Sequence, residues 1–394
     1  MDKNINVAII GAGLGGLALA QGLKKNNISF QVFERDLAVD SRTQGYRIRI
    51  DETGQKALYR CLPKELYSLF LDSCAVPAIG VRTLNSQLEN LVDKWVDSWS
   101  DGQEKVPDLR ANRLTLREIL LSDIDEQVNF SKEFVNYEEL PDGKVRVYFK
   151  DRTFYQADLV VAADGFSSKL CAIRFPTHQI VDTGHINIYG KTFYSDRVKK
   201  QVAKELQTGT SVIFEQEIAL VIDAMQFKEN TANLQLSAKD DYIYWAFIGN
   251  PNCFGLNQKD NLILSPESIS QYIKNLTHFW APSLKKLFEF ADPKTLTITP
   301  VRTSFPNETW TGNSITALGD AIHTMSPASG LGANSALYDA AILAENLSEE
   351  INLKDAIADY ESKMIEHSRN AIHASNQGGQ KLYASQSDET LSGG

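Results

Sequence analysis

The stretch Ile5-Asn6-Val7-Ala8-Ile9-Ile10-Gly11-Ala12-Gly13-Leu14-Gly15-Gly16-Leu17-Ala18-Leu19-Ala20 decides how the rest of the chain is read. An apolar, β-branched run breaks into glycines and then resumes, which predicts a buried parallel strand, a tight turn and a helix. In the pattern Gly11-x-Gly13-x-x-Gly16 the first glycine permits the turn, and the second lets backbone N–H groups approach a pyrophosphate. The third lets the helix pack on the strand, with Leu14 and Gly15 between them. A phosphate held there meets the positive end of the helix dipole. A second strand, Phe30-Gln31-Val32-Phe33, runs into Glu34 and Arg35, about twenty residues on, where an acid grips a ribose hydroxyl. An acid there favours an unphosphorylated ribose, so the stretch predicts NAD or the adenosine half of FAD without separating them.

The 394 residues suffice for two domains or one large α/β body. Hydrophobic content of 43% with 23% charged residues is ordinary for a globular protein, and a formal net charge of −10 argues against nucleic-acid or anionic-membrane partners. Cys61, Cys74, Cys171 and Cys253 form no CxxC and no metal-ligand spacing, so reduced structural thiols are expected. The six histidines make no metal-ligand pattern, and no GxSxG marks a serine nucleophile. With no leader ahead of Ile5 and no uninterrupted apolar run of ~18 residues, the expectation is a soluble, cytoplasmic, monomeric enzyme that needs no metal.

After Glu34, the alternation of Tyr46, Ile48 and Ile50 predicts a short strand with Arg47 and Arg49 on its other face. These are either solvated edge arginines or one of them lies over a cofactor or an anionic substrate. Residues 91–107 read as irregular surface, and within 109–121 apolar positions recur at helical spacing, with Arg113 at the start. A series of short strands around the turn Pro141-Asp142-Gly143 leads into the apolar run Leu159-Val160-Val161-Ala162-Ala163, which ends in Asp164-Gly165. The carboxyl end of such a strand is where α/β sheets bind ligands.

From about residue 175 to 300 the pattern changes to antiparallel strands rich in aromatics, including one at 234–237. Helices follow at 265–279 and 282–290. Phe193, Tyr194, Phe214, Tyr242, Tyr244, Trp245 and Phe247 could wall a pocket for a planar, largely apolar ligand, although most such rings are core. The chain then returns to the first domain: Ile315-Thr316-Ala317-Leu318 is a buried strand, followed by Gly319-Asp320. The loop Pro327-Ala328-Ser329-Gly330-Leu331-Gly332-Ala333-Asn334 opens a helix over 335–347 and offers a second glycine-rich turn to an anion or an electron-rich ring. A last helix runs from Leu353 to about Ala374, and the polar tail 385–394 reads as disordered.

In this order the motifs resemble those of the group A FAD-dependent aromatic hydroxylases, which share the para-hydroxybenzoate hydroxylase fold and include tetracycline-inactivating and polyketide-tailoring monooxygenases. The resemblance spans roughly residues 5–375. It implies an α/β fold: a Rossmann-like FAD-binding domain of the GR2 type, an inserted, mostly antiparallel substrate-domain sheet, and a C-terminal helix. The implied division is 1–174 and 301–350 for the FAD domain, 175–300 for the substrate domain, 351–384 for the C-terminal helix and 385–394 for the tail. By position, Gly11 to Gly16, Glu34 and Arg35 would hold the ADP part of FAD, and Arg113 would contact the cofactor. Asp164 would lie in the motif linked to both FAD and NAD(P)H, and Asp320, after Gly319, would bind the ribityl chain. Pro327, Gly330, Gly332, Ala333 and Asn334 would lie beside the isoalloxazine. Arg47 would border the flavin and is the candidate side chain for catalysis. Where the family has an arginine after the Asp-Gly serine, this chain has Cys171.

The chemistry the resemblance implies is the cofactor's own: NAD(P)H reduces FAD, molecular oxygen gives a flavin C4a-hydroperoxide, and its distal oxygen passes to an aromatic small molecule. Only one GxGxxG is present, so NAD(P)H would bind transiently. The rival readings are a dehydrogenase or reductase without oxygen insertion, a non-catalytic flavin- or drug-binding protein, and a flavin halogenase. Tyr244-Trp245-Ala246-Phe247-Ile248-Gly249 does not match the halogenase motif.

Overall fold

Val7, Ala8 and Ile9 have no solvent-accessible surface, as a strand covered on both faces requires. In the computed structural model, which describes residues 5–41, 46–77, 80–91, 106–228, 236–237, 240–256, 262–304, 314–349 and 352–383, this strand (Asn6–Ile10) is the middle one of a five-stranded sheet. Across the sheet the order is Ile315–Ala317, Leu159–Ala162, Asn6–Ile10, Ser29–Phe33 and Val128–Asn129, and every pair is parallel. Chain neighbours in space are therefore far apart in sequence: Ile10 pairs with Ala162, which pairs with Ala317. The helices Leu14–Lys25 and Gly332–Glu349 approach closely, since a Cβ on Gly22 would lie 2.7 Å from Ala344 Cβ. A three-stranded antiparallel sheet, Phe134–Glu139, Val145–Phe149 and Phe154–Ala157, carries the predicted hairpin.

The second large sheet has six strands in the order Thr297–Ser304, Ile180–Phe193, Tyr242–Gly249, Ile218–Met225, Thr210–Glu215 and Val81–Leu84. All pairs are antiparallel except the last, in which Val81–Leu84 runs parallel to Thr210–Glu215. A segment lying far upstream of residue 175 thus closes one edge of this sheet. One sheet face is buried under the helices Pro266–Leu276 and Pro282–Glu289, with Trp245, Phe247, Trp280 and Phe288 in mutual ring contact.

Three sequence readings change. The helix does begin at Arg113 and runs to Leu121, but the residues ahead of it, Leu109–Asn112, form a strand paired with Arg47–Ile50. The break is made by Asn112, whose side-chain oxygen accepts from the N–H groups of Leu114 (3.0 Å) and Thr115 (3.2 Å), an N-cap inside an apolar pattern. The last helix runs on to Tyr383 past the glycine pair 378–379, because Gly378 packs against Ser329. Leu236 and Ser237 belong to no strand, while the rest of the expected 234–237 strand, most of 91–107 and the tail lie outside the described residues. Among the described residues no helix is long and apolar enough to cross a membrane, and no cluster of side chains could hold a metal ion.

Candidate cofactor and substrate site

The glycines of the opening turn divide into two that fold the chain and one that faces open space. Gly11 has φ +113°, and a Cβ there would lie 2.4 Å from the Ala163 carbonyl oxygen. A Cβ on Gly16 would lie 2.1 Å from the Gly11 carbonyl oxygen, so the turn and the neighbouring strand end both exclude side chains. Gly13 is different: its backbone is extended, and the nearest atom to a Cβ would be 4.0 Å away. Gly13 begins the Leu14–Lys25 helix, which has no side-chain cap and no acid in its first turn. Uncapped N–H groups beside a cavity are what an anion requires. Leu14 is buried in the core, and Gly15 packs toward Leu318.

Glu34 ends the second strand and is almost fully buried. One carboxylate oxygen accepts from Ala12 N–H (2.8 Å) and the other from Asp36 N–H (3.0 Å). Arg117 completes the frame: it donates to the carbonyl oxygens of Ala12 (2.8 Å) and Val39 (2.6 Å) and lies 3.6 Å from Glu34 Oε2. Sequence reasoning missed Arg117, although it lies four residues after Arg113 on one helix and hence on the same face.

These groups line one wall of a cavity of about 450 Å³. Of the residues singled out from sequence, the cavity brings together Gly11, Gly13, Glu34, Arg35, Arg113, Asp164 and Asp320. Burial pushes the Asp164 carboxyl above its ordinary range, against the opposing pull of Ser168 and nearby backbone N–H groups. Its buried Oδ1 has no hydrogen-bond partner among the described residues. Asp320 opens into the cavity, but the surrounding protein still pushes its carboxyl up, opposed by His323 and Arg113. Lys191, Asp292, Lys294 and Thr295, contributed by the six-stranded sheet and the turn Pro293–Thr295 beside it, form an opposing part of the lining.

The remaining candidates build the site without lining it. Gly319 N–H donates to Asp339 Oδ2 (2.9 Å), and Pro327 opens a short turn, Pro327–Ser329. Gly330 lies against the Arg49 side chain, Gly332 begins a helix beside Asp320, and Ala333 packs on the core. The Asn334 side chain donates to the carbonyl oxygens of Arg49 (3.0 Å) and Gly330 (2.9 Å) and accepts from Asp51 N–H (3.2 Å). It ties the glycine loop to the Arg47–Ile50 strand.

Neither arginine of that strand is solvated. Arg49 pairs with Asp108 and donates to the Ser329 carbonyl oxygen (3.2 Å). Arg47 lies 2.7 Å from Asp223 Oδ2, on a carboxylate with no solvent exposure that also pairs with Arg110. The three-residue group joins the Arg47–Ile50 and Leu109–Asn112 strands to the six-stranded sheet. Arg47, the candidate for catalysis, is outside the cavity lining. Cys171 is likewise a core residue: burial pushes its thiol up to about 12.

Behind Asp320 sits a buried pair, His323 and Asp339. Burial disfavours the charged imidazole, but the Asp339 carboxylate, with Asp320 farther off, outweighs that and raises the His323 pKa above its usual 6.5. A raised folded-state pKa contributes stability that is complete below the unfolded value and lost as pH rises through the folded one. The parent's stability to urea should therefore fall from about pH 6.5 upward, and His323→Gln should lack that decline. A parallel decline in both proteins would show that the pair is not its source.

Sequence profiles place an FAD binding domain over residues 288–375 and an NAD(P)-binding Rossmann-like domain over residues 9–49. The dual O-methyltransferase/FAD-dependent monooxygenase of Cercospora beticola is 32% identical over 96% of this chain but only 46% of that protein, so the chain spans about half the length of such relatives. A protein of Photorhabdus luminescens subsp. laumondii TTO1, assigned as an FAD-containing monooxygenase, superimposes with a TM-score of 0.82 at 27% identity, covering 96% of this chain and 98% of that one. Klebsiella pneumoniae HpxO, complexed with FAD and uric acid, shares the fold, with a TM-score of 0.79 at 19% identity over 99% of this chain and 92% of that one.

Proposed function

The chain is a homologue of FAD-dependent monooxygenases and carries an FAD-binding domain, and we propose that it hydroxylates a planar aromatic or polyketide-like small molecule with electrons from NAD(P)H and an oxygen atom from dioxygen. The observation that carries this reading is one cavity in which an uncapped helix end, Glu34 and the orphaned oxygen of Asp164 share a lining with residues of the six-stranded sheet. The first set fits FAD. Gly13 leaves room for a pyrophosphate, Glu34 stands at the ribose position, and Asp164 and Asp320 present carboxylates to a polyol chain.

When bound, FAD supplies the electron transfer and the oxygen activation. The protein binds, orients and keeps water out. Glu34 and Arg117 fix the glycine loop through Ala12, so its N–H groups are aimed before any ligand arrives. Arg47, Arg110 and Asp223 tie the Arg47–Ile50 and Leu109–Asn112 strands to the six-stranded sheet through an ion cluster centred on a carboxylate with no solvent exposure, which limits water there. Tyr46 and Tyr242 extend that tie, the Tyr242 hydroxyl donating to the Tyr46 carbonyl oxygen (3.0 Å). With one glycine-rich dinucleotide turn already committed to FAD, NAD(P)H binds transiently.

The test is oxidation of NADH and NADPH by the FAD-loaded protein across phenols, quinolones and tetracyclines. A compound that accelerates oxidation many-fold and gains sixteen mass units establishes the activity and its substrate class. Absence of stimulation by every compound under both nicotinamides overturns it.

A further inference from the structure

Lys191 stands on the Ile180–Phe193 strand and lines the cavity. Its ammonium lies 4.2 Å from the ring centroid of Tyr46, 4.6 Å from that of Tyr242 and 5.8 Å from that of Phe193. The phenol oxygens point elsewhere. The Tyr46 hydroxyl donates to the Thr295 carbonyl oxygen (2.8 Å), and the Tyr242 hydroxyl is held between the Tyr46 carbonyl oxygen and Asn112 Nδ2. The ammonium therefore meets ring faces, which attract a cation but do not neutralise it.

Lys191 makes no ion pair among the described residues. Asp292 precedes the Pro293–Thr295 turn and Asp240 precedes the Tyr242–Gly249 strand, and both favour the ammonium from a distance; burial outweighs them and pushes the amine down to about 8. The other charged or titratable groups on elements around it are Lys294 on that turn, Asp241 just before that strand and Tyr244 on it, Asp223 on the next strand, paired with Arg47 and Arg110, and Arg113, Asp164 and Asp320 across the cavity. Asp292 shares this wall but makes no ion pair with Lys191, so the ammonium, held against ring faces, keeps its capacity to bind an anionic oxygen in the cavity.

Resting on the monooxygenase reading above, we propose that Lys191 is a substrate-specificity residue: it holds the ionised hydroxyl of an acidic hydroxyaromatic or enolic substrate. The pairing forms by loss of the substrate O–H proton, which goes to solvent when Lys191 is already protonated and to the Lys191 amine when it is not. Either way the complex is ammonium and phenolate. The ionised ring is the more electron-rich one, as oxygen insertion requires.

Equilibrium dialysis of the FAD-loaded protein against 2-naphthol and 2-methoxynaphthalene tests this. A phenol titrates near 10, as tyrosine does. Naphthol affinity should therefore rise about tenfold per pH unit up to about 8, where the amine begins to lose its own proton, and then level off. Lys191→Met should lose about tenfold or more of the naphthol affinity at pH 8 and bind the methyl ether as the parent does. Lys191→Arg, which keeps its charge, should continue to gain affinity above pH 8. Equal naphthol binding by the parent and Lys191→Met, or a parent profile flat below pH 8, overturns the lysine assignment and leaves the monooxygenase reading standing. A change in FAD affinity of Lys191→Met without any ligand overturns it too, because the lysine would then serve the cofactor. Failure of the parent to take up FAD removes both.

Discussion

Gly13→Asp should abolish FAD binding while leaving the apoprotein folded. The helix starts at this residue with an extended backbone that any side chain adopts, and the nearest atom to a new Cβ is 4.0 Å away. Aspartate is among the best helix N-caps, so the apoprotein should be unchanged or stabilised by up to about 1 kcal/mol. The same carboxylate would satisfy the N–H groups that a pyrophosphate needs and repel the phosphates themselves. Repulsion between unit charges about 4 Å apart near a protein surface is of order 4 kcal/mol, which weakens binding by about a thousandfold. Thermal melting of the apoprotein and flavin-fluorescence titration report the two effects separately. Binding within tenfold of the parent would remove the pyrophosphate from this helix end. Gly16→Ala could not make this distinction, since its Cβ would strike the Gly11 carbonyl and unsettle the fold itself.

The second large effect is on stability. Asp223→Asn should cost about 3–5 kcal/mol in urea unfolding, because it leaves the buried guanidiniums of Arg47 and Arg110 without their shared counter-charge. Among the described residues, Arg110 then keeps its carbonyl partners at Ala224 and Val76. Replacing all three together, Arg47→Met with Arg110→Leu and Asp223→Leu, should recover most of the loss, since a well-packed apolar cluster is often as stable as a buried ion group. A loss below about 1 kcal/mol for Asp223→Asn would mean that the cluster is solvated.

What could be read in the sequence was whatever local chemistry sets. Gly11, Gly13 and Gly16 stand where a strand must turn into a helix, and Asp164 ends an apolar strand; both patterns carry their own geometry. Asp320 after a short buried run was legible for the same reason. The fate of Arg47 was not, because its partner Asp223 lies on a strand of the other sheet and nothing near residue 47 encodes that pairing. Asn334 reads as part of a ring-binding loop, yet its amide joins Arg49, Asp51 and Gly330, contacts that exist only once the chain has returned. Lys191 gave no signal at all. A lone lysine in a strand looks solvated until Tyr46 and Tyr242, one from each side of the join, close over it. Arg117 was overlooked although helical spacing from Arg113 was available.

The strand order of the parallel sheet also sets a schedule for biosynthesis. Leu159–Ala162 gains its outer neighbour, Ile315–Ala317, only after some 150 further residues have been made. At about 5–20 residues per second the wait is on the order of ten to thirty seconds. Throughout it the nascent chain carries an unpaired, wholly apolar strand edge, the kind that recruits other strands. Val81–Leu84 waits in the same way for Thr210–Glu215. Aggregation during synthesis, rather than instability of the finished protein, is thus the hazard this topology creates, and slower translation lengthens the exposure.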